Sequence, residues 1–294
     1  MKAKFNLKQI AKKNRFRRKK LKPIQSSEFL EAEYYKYLRA LVNSIKSKFV
    51  KTVVSGMKAD KNKWQDESYS AKMNRLINQV VSETESKYGE KTLTEIAKTM
   101  IFKVDKYQKI KFKRSAELGF GFDISQLPDF IGYRQFINAS IQKNLAEIKN
   151  LRTETMYKLE MSLRTAIEKG TSISQLTNEL MSTNQHTRQR AALIARNEIK
   201  NLTSQLNQRR AVNAGFEVYE WQNAGDQRVR GNPNGWYPKA KPSHWIMEGL
   251  YCRYDNDTVY SADKGKTWKK RTSKMPKGKP GEEINCRCLA LPVD

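Results

Sequence analysis

Several side chains in the C-terminal third are of the types that hold a zinc ion, namely His244, Cys252, Cys286 and Cys288. Thiolate sulfur and imidazole nitrogen are preferred ligands of tetrahedral zinc, and a small β unit gains folding free energy from such an ion. The usual Cys-x-x-Cys pair is absent, however, and cysteine is also a common small buried residue. The sequence therefore leaves two interpretations open, a zinc site or buried cysteines without a metal.

A second set of residues in the same segment could perform acid–base chemistry: Asp226, Arg228, Arg230 and His244. An acid, anion-binding guanidinium groups and a general base are the components of a phosphodiesterase or transferase site. The stretch around Asp226 contains no second carboxylate that would complete such a site. We therefore favour a structural network, in which Asp226 accepts hydrogen bonds from Arg228 or Arg230 and fixes the turn after Trp221.

Aromatic and basic side chains interleave along this segment. They are Trp221, Trp236, Trp245, Trp268, Tyr237, Tyr251, Tyr254 and Tyr260, with Lys239, Lys241, Lys266, Lys269, Lys270 and Arg271. Aromatic rings that stack on bases, beside cations that follow the phosphates, form a binding surface for single-stranded nucleic acid. A small β core with a basic rim has the same composition, so the sequence leaves both interpretations open.

The first 25 residues form a basic arm, with no acidic residue before Glu28. Its candidate DNA-binding residues are Lys12, Lys13, Arg15, Arg17, Arg18, Lys19 and Lys20. The whole chain has 57 Lys and Arg against 30 Asp and Glu, a net charge of +27, which favours binding to a polyanion or an acidic partner. No zinc finger or helix-turn-helix motif is evident, so we expect binding to double-stranded DNA without sequence preference. A solubilising tail is the alternative.

The compartment can be inferred from two absences in the sequence. No apolar run approaches the roughly 20 residues that a membrane-spanning helix needs, and no signal sequence is evident. The three cysteines cannot all pair with one another, and a bridge between Cys286 and Cys288 would be strained. We therefore expect no membrane partner and a reducing compartment.

Hydrophobic periodicity predicts an α+β fold, with a helical N-terminal half of long helices followed by a small antiparallel β-rich C-terminal unit. Helices are predicted from Glu28, over Asp66 to Tyr88, from about Thr92, from Asp129 to Gly170, from Thr171 or Ser172 as a short connector, and over Arg188 to Gly215. A strand is predicted at FEVYEWQ, followed by two successive hairpins between Tyr251 and Lys270. These elements must position the polar residues described above.

The order of the polar residues resembles the Mu F-like (MuF) minor head proteins of tailed bacteriophages. The matching positions are Ala195-Arg196-Asn197-Glu198, Gly215, Trp221, Asp226, Arg228, Arg230, His244, Pro280 and Asn285-Cys286-Arg287-Cys288. The resemblance covers roughly residues 150 to 292. It implies a structural network made of Arg196, Glu198, Trp221, Asp226, Arg228, Arg230 and His244.

The sequence departs from the family's pattern at two places. Asn197 replaces the hydroxyl residue that is usual in the helix motif, and Gly231 to Ser243 form an insertion before His244. The insertion weakens the expectation that His244 lies beside Arg230.

The resemblance implies a non-enzymatic minor capsid protein that acts in head morphogenesis, inside the capsid at the portal vertex, after synthesis in the host cytoplasm. The implied partners are the portal protein, the major capsid or scaffolding protein and packaged DNA, with which the protein would be ejected. The predicted organisation is a basic arm at 1–25, a helical portal- or capsid-contact region at 26–150 and a MuF-like domain at 151–294. The alternative is a nucleic-acid-processing or transferase enzyme that uses Asp226, Arg228 and His244.

Overall fold

Long α-helices make up most of the described chain. The computed structural model describes residues 21–58, 67–120, 129–169 and 173–293. The helices are α1 (Glu28–Phe49), α2 (Glu67–Lys87), α3 (Glu90–Phe120), α4 (Tyr133–Glu168) and α5 (Ile173–Asn213). A π-helical turn, Val50–Val54, and a last helical turn, Ser55–Lys58, continue α1. No helix of the described residues is long and apolar enough to cross a membrane.

The helix α5 corrects one prediction from the sequence. A short connecting helix and a separate helix from Arg188 were expected, whereas the structure has one continuous helix of 41 residues. The residues between the two predicted segments are mostly polar but include neither glycine nor proline. They therefore do not interrupt the backbone hydrogen bonds of the helix.

The chain divides into two compact units, and neither is a continuous stretch of sequence. The β-containing unit comprises the described residues within 1–28, 102–137 and 197–294, and the helical unit those within 29–101 and 138–196. The predicted divisions after residues 25 and 150 follow the order of the sequence, whereas these units interleave along it. The portal- or capsid-contact role of residues 26–150 stays a prediction.

The helical unit has a core of apolar side chains at helical spacing. On α1 these are Tyr34, Leu38, Leu41, Ile45 and Phe49, each at most 1% exposed. The α3 stripe predicted around Leu93, Ala97 and Met100 is buried as well. The Tyr34 hydroxyl donates a hydrogen bond to Asn144 Oδ1 at 2.7 Å, so the one polar atom of this large side chain is satisfied inside the core.

The β-containing unit is built on a three-stranded antiparallel sheet of order β2-β1-β5. Its strands are β1 (Val218–Gln222), β2 (Tyr251–Arg253) and β5 (Leu289–Val293), and a second sheet pairs β3 (Val259–Tyr260) with β4 (Lys269–Lys270). The small antiparallel C-terminal unit is therefore confirmed. Strand β5 was not predicted. Its Pro292 is tolerated because β5 lies at the sheet edge.

The central strand β1 directs its largest side chains into one core. Tyr219 and Trp221 are both fully buried, and they pack in a cluster that includes Phe216, Met247 and all three cysteines. Helix α5 is tied to β5 by a hydrogen bond from the Asn207 side chain to the Ala290 carbonyl. This arrangement places the end of α5 and the sheet around the polar residues singled out in the sequence.

Candidate functional site

His244, Cys286 and Cys288 form a buried cluster in the β-containing unit. They are 3%, 6% and 4% exposed, and their potential ligand atoms all lie within 4.8 Å of one another. Nδ1 of the imidazole is 3.4 Å from Cys288 Sγ and 3.5 Å from Cys286 Sγ. The structure thus brings together most of the predicted zinc ligands.

Cys252 lies outside this cluster among the described residues, which corrects the predicted ligand set. It is on β2, where it is the register partner of Tyr219 on β1. Sheet pairing therefore holds it in the apolar core, and burial raises the pKa of its thiol. Cys252 is a buried core cysteine, as the alternative interpretation had it.

Glu283 and Arg230 complete the polar surroundings of His244. Glu283 Oε2 is 3.0 Å from His244 Nε2 and also forms an ion pair with the Arg230 guanidinium. The same guanidinium donates a hydrogen bond to the Ile284 carbonyl at 2.6 Å. Sequence reasoning missed Glu283, although its place three residues before Cys286 in the polar approach to the Cys-Arg-Cys segment was a usable signal.

The insertion between Gly231 and Ser243 does not separate His244 from Arg230. The His244 N–H donates to the Arg230 carbonyl at 3.0 Å, so the loop returns to its own starting point. Gly231 has φ of 77°, and a Cβ built on it would lie 2.0 Å from Ser243 Oγ. The loop can close only because glycine stands there, and the expectation drawn from the insertion is corrected.

Asn197 anchors the segment before the cysteines. Its Oδ1 accepts a hydrogen bond from the Asn285 N–H at 3.0 Å, while Asn285 itself has φ of 59°. The position that departs from the family pattern thus supports the chain just before Cys286. Of the neighbouring motif residues on α5, Arg196 is exposed and Glu198 is half-buried.

Asp226 pairs with Arg287, the central residue of the Cys-Arg-Cys segment. Both carboxylate oxygens accept hydrogen bonds from this guanidinium, and Oδ1 also accepts the Arg228 backbone N–H at 2.9 Å. The hydrogen bond from Arg287 lowers the pKa of Asp226. Asp226 thus accepts from Arg228, as predicted, through the backbone N–H, whereas its ion pair is with Arg287. The Arg228 guanidinium lies 5.1 Å from the centre of the Trp236 ring.

The thiols and the imidazole of the cluster change one another's pKa. A hydrogen bond from Cys288 and the neighbouring imidazole lower the pKa of Cys286 to about 4. The same hydrogen bond to Cys286, together with burial, raises the pKa of Cys288. Burial lowers the pKa of His244, but Cys286 and Glu283 outweigh it and raise the pKa overall. The cluster therefore stabilises a buried thiolate, which is a good metal ligand or a nucleophile.

Access decides between those two chemistries. A cleft of about 500 Å³ in this unit is lined by residues such as Phe130, Arg209, Phe216 and Asp255, and no residue of the cluster contributes to it. A nucleophile needs a path for its substrate, whereas a metal ligand can be fully enclosed. The buried position of Cys286 favours a ligand.

The predicted aromatic surface is only partly available to a nucleic acid. Trp221, Tyr251 and Tyr254 are buried in the core, while Trp236, Tyr237 and Trp245 are exposed. Arg271 donates hydrogen bonds to the carbonyls of Pro276 and Gly278, so it organises a loop. The predicted DNA-binding residues of the arm, Lys12 to Lys20, lie outside the described residues.

Comparison with known proteins agrees with the motif order. Residues 157–291 match the family model described as Phage Mu protein F like protein. The chain is also 24% identical, over 98% of its length, to a Haemophilus influenzae protein named only "Uncharacterized protein", and it spans 59% of that protein's length. No solved structure matches the chain. Residues 157–291, somewhat less than half of the chain, are therefore similar to the Phage Mu protein F like family.

Proposed function

We propose that the protein is a minor structural component of a tailed-phage head that acts in head morphogenesis inside the capsid, at the portal vertex. The family match over residues 157–291 carries this proposal. The partners would be the portal protein and the major capsid or scaffolding protein. The protein would be made in the host cytoplasm, assembled into the virion and ejected with the genome.

A structural role agrees with how the motif residues are used. Asp226 forms an ion pair with Arg287. Arg230 forms an ion pair with Glu283 and donates a hydrogen bond to the Ile284 carbonyl. His244 is enclosed with the two cysteines. These contacts join segments that are far apart in the sequence, and they leave the side chains of Asp226, Arg228 and His244 with separate side-chain partners. The alternative enzyme would need these three side chains to converge on one substrate.

Binding of double-stranded DNA is the second part of the proposal. The net charge of +27 would make the protein repel itself unless a polyanion or an acidic surface neutralises it. Packaged DNA supplies such a polyanion inside a phage head. Binding through phosphates releases counterions, so the affinity should fall steeply with salt and depend little on base sequence.

The DNA-binding part is tested by deleting residues 1–25 and measuring affinity for duplex DNA over a range of salt concentrations. Each lost phosphate contact should reduce the slope of log affinity against log salt by about 0.9. A variant with Lys266, Lys269 and Lys270 all changed to Gln, three exposed lysines outside the arm, serves as the control and should keep most of the slope. An unchanged slope in the deletion would mean that the arm binds something else, such as an acidic protein surface.

The structural part is tested in assembled heads and with the purified protein. Asp226→Ala should reduce incorporation of the chain into heads, measured by quantitative mass spectrometry, because it releases Arg287. The wild-type protein should show no turnover of DNA or nucleotides. Metal-dependent DNA cleavage that disappears in His244→Ala would overturn the structural proposal and favour the enzyme.

A further inference from the structure

The geometry points to a zinc site formed by Nδ1 of His244 and the thiolate sulfurs of Cys286 and Cys288. The three side chains are buried together, and they come from two parts of the chain, the residue that follows the Gly231–Ser243 loop and the segment just before β5. A tetrahedral ion would take its fourth ligand from outside this group. This inference does not depend on the proposed role in the phage head.

The spacing of the three atoms fits the ion. Zinc bonds of about 2.3 Å to sulfur and about 2.0 Å to imidazole nitrogen, at tetrahedral angles, place the nitrogen and each sulfur about 3.5 Å apart. The observed distances from Nδ1 are 3.4 Å to Cys288 Sγ and 3.5 Å to Cys286 Sγ. A zinc ion therefore fits among these atoms with little movement of the side chains.

The partner of the other imidazole nitrogen supports this assignment. Glu283 Oε2 lies 3.0 Å from Nε2, and an ionised carboxylate can only accept a hydrogen bond. Nε2 would carry the proton of this contact, and in the neutral ring the Nδ1 lone pair would then be directed at the two sulfurs. A carboxylate that orients a histidine in this way is the usual outer partner of a zinc ligand. Arg230 in turn holds Glu283.

Donor groups around the sulfurs are suited to thiolates. The Gly281 N–H donates to Cys286 Sγ at 3.3 Å. The indole N–H of Trp221 is fully buried and has no hydrogen-bond acceptor among the described residues, and the Trp221 ring centre lies 5.9 Å from that of His244. Two adjacent buried thiolates repel each other, and a divalent cation between them removes this repulsion.

Zinc would also stabilise the fold of the β-containing unit. The strands of this unit have between two and five residues each, so few backbone hydrogen bonds hold them. Zinc binding that joins the His244 and Cys286–Cys288 segments would contribute directly to folding free energy.

The test begins with the metal content of the full-length protein, purified without chelators. We expect about one zinc per chain. Exchange for Co²⁺ should produce the near-ultraviolet charge-transfer band of a cobalt–thiolate bond, together with the visible bands of tetrahedral cobalt. Cobalt measurements need no variant, so they decide the question even if a cysteine substitution prevents folding. Absence of both zinc and the cobalt–thiolate band would overturn the proposal.

Variants then assign the ligands. Cys286→Ser and Cys288→Ser should lose the metal, and Cys252→Ser should retain it; Cys252 is the matched control because it is equally buried in the same core. Glu283→Gln should weaken zinc binding by about 10- to 100-fold in a chelator competition. Retained zinc in Cys286→Ser and Cys288→Ser, or loss of zinc only in Cys252→Ser, would contradict the ligand set. Rapid alkylation of Cys286 that a chelator does not accelerate would instead identify a reactive thiol.

Discussion

The helical unit and the β-containing unit are stabilised in different ways. In the helical unit, apolar residues recur along each helix, as in the α1 series from Tyr34 to Phe49, and many similar apolar contacts together stabilise the unit. In the β-containing unit, strands are short, and single polar contacts join distant segments, such as Asp226 with Arg287 and Asn197 with Asn285. The order of the first unit follows from a repeated apolar pattern, whereas that of the second follows from contacts between particular side chains.

Tryptophan gives a separate signal for the second unit. Trp221, Trp236, Trp245 and Trp268 all belong to the β-containing unit. Trp64 lies outside the described residues, so a Trp64→Phe background leaves fluorescence that reports on this unit alone. Far-ultraviolet circular dichroism reports mainly on the helices. Denaturation followed by both signals can therefore test the comparison.

The largest effect is expected for Trp221→Ala in that background. Removing this fully buried side chain should cost about 3–5 kcal/mol, and it should lower the fluorescence midpoint more than the dichroism midpoint. Leu41→Ala, at a buried position of α1, should cost about 2–5 kcal/mol. It should lower the dichroism midpoint more than the fluorescence midpoint. Equal shifts of both signals in both variants would break the comparison.

An intermediate effect is expected for Gly231→Ala. Gly225 has a similar positive φ, but a Cβ there meets nothing within 4 Å, whereas at Gly231 it meets Ser243. Gly225→Ala should therefore cost about 1–2 kcal/mol, and Gly231→Ala clearly more. Adding Ser243→Gly should recover part of the difference, because it removes the colliding atoms. If the two alanine variants are equally stable in urea, the closed loop does not matter to the fold of this unit.

The smallest effect is expected for Asp226→Asn. The Asp226 side chain is 43% exposed, and that of Arg287 28%, so solvent screening limits the ion pair to about 1 kcal/mol or less. Because pairing lowers the folded-state pKa of Asp226 below its ordinary 3.8, its contribution is present above that value and is lost as the pH falls through the lowered pKa. The stability difference between wild type and Asp226→Asn should thus shrink in acid, measured by urea denaturation at several pH values. A difference that grows in acid would contradict the assigned partner.

The two units also differ in how much their sequences predict. Helix positions follow from the spacing of apolar residues such as Leu38, Leu41 and Ile45, which is local information. The contact of Glu283 with His244 and that of Asn197 with Asn285 join residues far apart in the chain, and no local pattern specifies them. The same limit explains the assignment of Cys252, whose residue type suits zinc but whose strand pairing places it in the core.

The closed loop from Gly231 to Ser243 has a practical consequence. Its two ends are joined by the backbone hydrogen bond between His244 and Arg230, while Pro233, Asn234 and Trp236 are exposed. Extra residues placed after Pro233 would extend a loop whose base is already fastened, at a modest entropic cost that grows slowly with length. This loop is therefore the position at which a short epitope could be inserted for detection of the protein without disturbing its folded interior.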